Sequence, residues 1–135
     1  MSGSGLITVA SDNPAARTLE LLQSAIRSAG NAVFAVFDHA EAASGVGLSL
    51  RPTTVVAFGN PAAGTKLMQL HQQIGLDLPL KILVWEDESG KAKLSYNDPK
   101  WLADRHGLGA EGQGVIAAMT KLLDSLTKKA ASAGA

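Results

Sequence analysis

The stretch Leu80-Lys81-Ile82-Leu83-Val84-Trp85-Glu86-Asp87-Glu88-Ser89-Gly90-Lys91-Ala92-Lys93-Leu94-Ser95-Tyr96-Asn97 decides the fold class. Leu80 to Trp85 is an apolar run of strand length, and Glu86 to Gly90 is a polar turn containing a glycine. Beyond it, Ala92, Leu94 and Tyr96 alternate with Lys91, Lys93, Ser95 and Asn97. That is the period-two pattern of a strand with one face on a core and the other in water. Two strands joined by a short glycine-containing loop form a β-hairpin. A hairpin is antiparallel, so a purely parallel sheet is excluded.

Toward the N-terminus, Leu6-Ile7-Thr8-Val9-Ala10 reads as a short β-branched strand. Val33-Phe34-Ala35-Val36-Phe37 and Thr53-Thr54-Val55-Val56-Ala57-Phe58 follow as strands of the buried kind. Strands apolar on both faces belong in a sheet covered on both sides or in a subunit interface. Helical patterns separate them. Leu19, Leu22 and Ile26 form one stripe, with Pro14 suited to the first turn and Gly30 at the end. Residues 40–48 are alanine-rich and weakened by Gly45 and Gly47. From Thr65 to Ile74, residues Leu67, Leu70 and Ile74 share a face, which puts His71 on the apolar side before Gly75 closes the helix.

Toward the C-terminus, Asp98-Pro99 caps a short helix holding Trp101, Leu102 and His106. A last helix after Gly114 aligns Ile116, Met119, Leu123 and Leu126. The order βαβαβαββαα predicts the α+β class: a single domain with a mixed β-sheet and helices packed on it. A three-layer α/β arrangement is the alternative. The domain is expected over residues 1–128, and the small-residue segment 129–135 is expected to be a flexible tail.

The chain has 135 residues, 12 basic against 12 acidic, and no cysteine. A chain of this length buries about 65–70% of its unfolded surface as one domain. Without cysteine there is no disulfide, thiolate nucleophile or zinc finger. Residues 1–60 carry three basic and four acidic groups and 61–135 carry nine and eight, so neither half is a basic arm. The balance argues against nucleic acid as a partner. No apolar run approaches the ~18 residues of a membrane span, and the first residues lack a basic leader. The expectation is therefore a cytoplasmic protein with no membrane partner.

Motifs for chemistry are sparse. The P-loop and the GxGxxG fingerprint are absent, as is the G-x-S-x-G elbow. No motif asks for a cofactor, and no histidine pair has metal-ligand spacing. The acidic run Glu86-Asp87-Glu88 lacks the further oxygen ligands of a calcium loop and reads as a solvated hairpin. Gly59-Asn60-Pro61-Ala62-Ala63-Gly64-Thr65 joins a buried strand to a helix start, where backbone N–H groups suit an anion. His39 follows a buried strand and Asp38, which makes it the first candidate for a ligand-binding or acid/base histidine. His106 lies near a helix C-terminus, where its charge suits the helix dipole. Lys81 precedes an apolar run, so a desolvated amine is one reading and a snorkelling lysine the other.

Several segments together resemble one family. They are Phe37-Asp38-His39, Leu50-Arg51-Pro52-Thr53, Phe58-Gly59-Asn60-Pro61 with Gly64-Thr65 and Leu67-Met68, and Leu76-Asp77-Leu78-Pro79-Leu80-Lys81. Val84-Trp85-Glu86, Ser95-Tyr96-Asn97-Asp98-Pro99, Leu102 and Arg105-His106-Gly107-Leu108 continue the series in the same order. In these segments the chain resembles the domain-of-unknown-function 302 (DUF302) family, from about residue 6 to 126. The resemblance implies a small α+β protein of bacterial or archaeal type that is often a homodimer, and it brings no established reaction.

The functional expectation is a small-molecule or anion-binding module using Asp38, His39, Asn60, Lys81 and Tyr96, the polar residues at the ends of apolar strands. A homodimeric structural or assembly protein is the alternative. If the chain is an enzyme, His39 is the candidate acid/base, with the reaction unassigned.

Overall fold

The computed structural model describes residues 4–134. Among them, five strands form one sheet: β1 (Leu6–Ala10), β2 (Ala32–Asp38), β3 (Thr53–Gly59), β4 (Leu80–Glu86) and β5 (Ala92–Asn97). The helices are α1 (Ala15–Ser28), α2 (His39–Gly45), α3 (Pro61–Leu70), α4 (Pro99–Arg105) and α5 (Gln113–Ala131), with 3-10 turns at Gln72–Asp77 and Ala110–Gly112. The strand order is β1-β5-β4-β3-β2, and all four pairings are antiparallel.

The α+β class is as expected, but the sheet is not mixed. The physical reason lies in the first crossover. The β1–α1–β2 unit places its two strands, which run in the same direction, at opposite edges of the sheet. The three later strands fill the space between them, each antiparallel to its neighbours. No parallel pair then forms, although helices separate the early strands.

Paired residues share a face, so the register sorts the side chains. Val56, Phe58, Ile82, Val84, Leu94 and Tyr96 face one side and pack with Leu22 and Ile26 of α1 and Ile116, Met119, Leu123 and Leu126 of α5. The opposite face carries the cross-strand row Thr8, Ser95, Leu83, Val55 and Phe37, none of which joins that core. This is a two-layer arrangement, not the three-layer alternative. Phe37 and its strand are correspondingly not buried: Phe34, Val36 and Phe37 are 44–53% exposed. Apolar on both faces, β2 is an edge strand, and the covered-sheet reading of it does not hold.

The hairpin forms where the alternation puts it. Asp87 organises its turn, its carboxylate accepting hydrogen bonds from the Ser89 hydroxyl at 2.7 Å and from the Ser89 and Lys91 N–H groups at 2.9 and 3.0 Å. Those donors, the Ser89 hydroxyl foremost, and Lys93 at 3.0 Å hold the carboxyl well below the usual carboxylate range.

Two boundaries differ from expectation. The helix read over 65–74 stops at Leu70, and His71 caps it in an extended conformation at the surface, not on an apolar face. A 3-10 turn then carries Ile74 into the core, so its burial comes from a second element rather than a fourth helical turn. At the other end, α5 runs through Ala131 with Ala130 and Ala131 buried. The Asn13 amide donates to the Ala130 carbonyl at 3.1 Å and the Asp12 N–H to the Ala131 carbonyl at 2.8 Å. The helix thus extends into the segment 129–135 expected as a tail, and Ala135 lies outside the described residues.

Candidate functional site

An apolar cleft of about 450 Å³ opens beside the sheet, within the range that holds small-molecule ligands. Local sequence accounts for each wall. One register irregularity in β2, between Val33 and Ala35, leaves Phe34 unpaired as a bulge. A bulge re-aims a side chain, and Phe34 here lines the cleft next to Gly59. Helix α3 and its cap form the second wall through Asn60, Gly64 and Met68. The segment after the 3-10 turn supplies Leu78 and Pro79, and α5 supplies Met119 and Leu122. None of the residues lining the cleft is charged.

Asn60 sits at the strand-to-helix turn expected to offer free N–H groups, but those groups are engaged. Its side-chain oxygen accepts from the Ala62 N–H at 2.9 Å, and its carbonyl accepts from the Ala63 and Gly64 N–H groups at 3.1 and 3.3 Å. Pro61 has no N–H to give. The first turn of α3 is therefore satisfied internally, as capping chemistry requires.

Of the five residues expected to bind ligand, Asn60 alone lines this cleft. Asp38 accepts from the Glu41 N–H at 2.9 Å and caps α2, so its carboxylate serves the helix and not His39. His39 is exposed on the first turn of α2, with its ring in edge contact with Phe37 at 4.9 Å. Lys81 is exposed and its ammonium donates to the Pro79 carbonyl at 3.2 Å, so its amine is not desolvated. Tyr96 is buried on the helix-covered face, and burial, with Asp124 and Asp98 nearby, pushes its phenol above the ordinary value. The structure does not bring these five side chains into one cleft.

It does bring together a trio that residue-by-residue reading missed. The Asp77 carboxylate accepts from Arg105 Nη1 at 3.1 and 3.2 Å and lies 2.5 Å from His106 Nε2. His106 was expected to interact with a helix dipole, and it does cap α4, but its ring is oriented by Asp77. The separation of 29 residues has no local signature. The one available signal was that Leu76-Asp77-Leu78-Pro79 and Arg105-His106-Gly107 both belong to the family-like segments. The acidic run at 86–88 joins no such cluster, and no group of three metal-ligating side chains converges among the described residues.

The fold and cleft define a class: two-layer α+β proteins with a five-stranded antiparallel sheet and an apolar cleft beside its β2–β3 end. The chain belongs to the DUF302 family (Domain of unknown function DUF302), which matches residues 7–126. A solved structure with this fold is the uncharacterized conserved protein DUF302 from Bacillus stearothermophilus, at TM-score 0.83 and 20% identity, over 93% of this chain and 98% of that one. The chain is also 48% identical over 128 residues to a protein of Brucella suis biovar 1 named fluoride-specific ion channel FluC 1, covering 95% of this chain and 50% of that protein. A Brucella melitensis protein named fluoride-specific ion channel FluC 2 matches at the same identity over 47% of its length. The chain thus spans about half the length of these curated relatives. Among the described residues no helix is long and apolar enough to cross a membrane.

Proposed function

We propose that this chain is a binding module for a small, uncharged and largely apolar molecule, held in the cleft between α3, α5 and the 75–80 segment. The observation that carries the reading is the lining: Phe34, Phe58, Met68 and Met119 form apolar walls, and Asn60 and Thr65 are among the few polar side chains. Such a composition suits a ligand that buries its body and makes one or two hydrogen bonds. An anion fits this cleft less well, because the N–H groups at the start of α3 are engaged. Two methionines add adaptable walls, which accommodate ligands of more than one shape. Of the five residues drawn from sequence, the proposal keeps Asn60 in contact with ligand and gives Asp38, His39, Lys81 and Tyr96 no part in this cleft.

The test is binding of the neutral fluorescent probe N-phenyl-1-naphthylamine, followed by a thermal-shift screen of uncharged metabolites with fluoride as a separate arm. A Cβ at Gly64 would meet Leu78 and Met68 at 3.7 and 3.8 Å, so Gly64→Leu directs a side chain toward the cleft walls. Probe fluorescence should be lost in Gly64→Leu and kept in His39→Ala and Lys81→Ala. Equal probe binding by all variants would sink the proposal. A response to fluoride alone would instead favour the anion reading, which the names of the longer relatives suggest.

A second reading rests on its own observation. Phe34, Val36 and Phe37 on the β2 edge, with Val46, Leu48 and Leu50 in the connection to β3, are all exposed. An unpaired edge strand with apolar side chains is a template for another chain, so a homodimer is part of the proposal. A cytoplasmic location belongs with it.

A further inference from the structure

We propose that Arg105 and His106, oriented by Asp77 and flanked by Gln72 and Gln73, form an oxyanion-binding site separate from the apolar cleft. One guanidinium already balances one carboxylate, so the imidazole on Asp77 is not needed for charge. Its effect is orientation. With Nε2 held 2.5 Å from Asp77, and the side chain only 10% exposed, the ring is fixed and its Nδ1 has no partner among the described residues. Arg105 is half-satisfied in the same way. It reaches Asp77 through Nη1 alone, its guanidinium is seated 5.9 Å from the Trp101 ring, and Nε and Nη2 make no hydrogen bond among the described residues.

The free Arg105 donors and His106 Nδ1, which accepts in the neutral imidazole and donates only in the imidazolium, border a pocket of about 490 Å³ lined by Gln72, Gln73, Leu76, Arg105 and His106. Neither glutamine side chain has a partner among the described residues, and no carboxylate is in the lining. A pocket edged by a guanidinium, an imidazole and two amides, with Asp77 outside its lining, suits the oxygens of a phosphate, sulfate or carboxylate group. Asp77, from the 3-10 turn, is paired with both Arg105 and His106.

The test is a titration with sulfate, followed by amide NMR spectra and calorimetry. Inorganic phosphate and acetate form parallel arms at matched ionic strength. Sulfate is expected to shift Gln72, Gln73, Arg105 and His106. Arg105→Gln should weaken binding by about tenfold. Since Arg105→Gln could also loosen the fold, the exposed pair Gln72→Ala with Gln73→Ala provides an independent arm, with a loss of about threefold at unchanged Tm. Preference for sulfate and phosphate assigns a phosphate-type ligand, and preference for acetate a carboxylate. No shifts at these residues, or variants that bind like the parent, overturn the proposal. Neither Arg105 nor His106 lines the apolar cleft, so that outcome leaves the cleft reading standing.

Discussion

Gly64 lies inside α3, where glycine costs a helix roughly 1 kcal/mol relative to alanine. A Cβ there meets only Leu78 and Met68 at ordinary contact distances. Gly64→Ala should therefore raise stability by about 0.5–1 kcal/mol in urea unfolding. Gly112 is the opposite case. A Cβ at that position would fall 2.4 Å from Leu108 Cδ2, so Gly112→Ala should lower Tm as Leu108 is displaced. Asp87 offers a pH test. Its carboxyl is held below the ordinary value of 3.8, so its stabilisation is complete above that value and is lost as pH falls below it. Parent and Asp87→Asn should show closer Tm values at pH ~2 than at pH ~6, and parallel curves would contradict this.

At the scale of elements, α3 and α5 show what ends a helix. Asn60 caps α3, and Asn60→Ala should cost about 1 kcal/mol in thermal unfolding whatever its effect on ligand. The last turn of α5 is anchored by Asp12 and Asn13, although its sequence is only small residues. Ending the chain at residue 128 removes buried Ala130 and Ala131 and strands those donors. The shortened protein should lose about 2 kcal/mol, measured by denaturant unfolding. This end was illegible in sequence because alanine suits a frayed tail and a packed helix equally, and only the neighbouring loop distinguishes them. The same holds for Ile74, whose spacing from Leu67 and Leu70 fits one helix yet is met by a helix and a 3-10 turn.

For the whole molecule, the uncovered sheet face and the β2 edge set the question of assembly. Light scattering should find a mass near twice the 13.9 kDa of one chain at micromolar concentration. Phe37→Lys, at an exposed position outside the core, should shift this mass to that of one chain at nearly unchanged Tm. A parent protein that is already monomeric would remove the homodimer from the proposal.

What the amino-acid sequence determined by itself was local. The alternation of Leu94 and Tyr96 with Lys93 and Ser95, and the stripes Leu22–Ile26 and Ile116–Leu126, followed from the strand and helix repeats, which act over a few residues. The tertiary structure alone decided how the strands are ordered and which distant side chains meet. Asp77 finds His106, and Phe34 and Asn60 find Met119, through the β1–α1–β2 crossover and the packing of α5. Those meetings depend on burying apolar faces against partners far along the chain, and no short-range pattern encodes them.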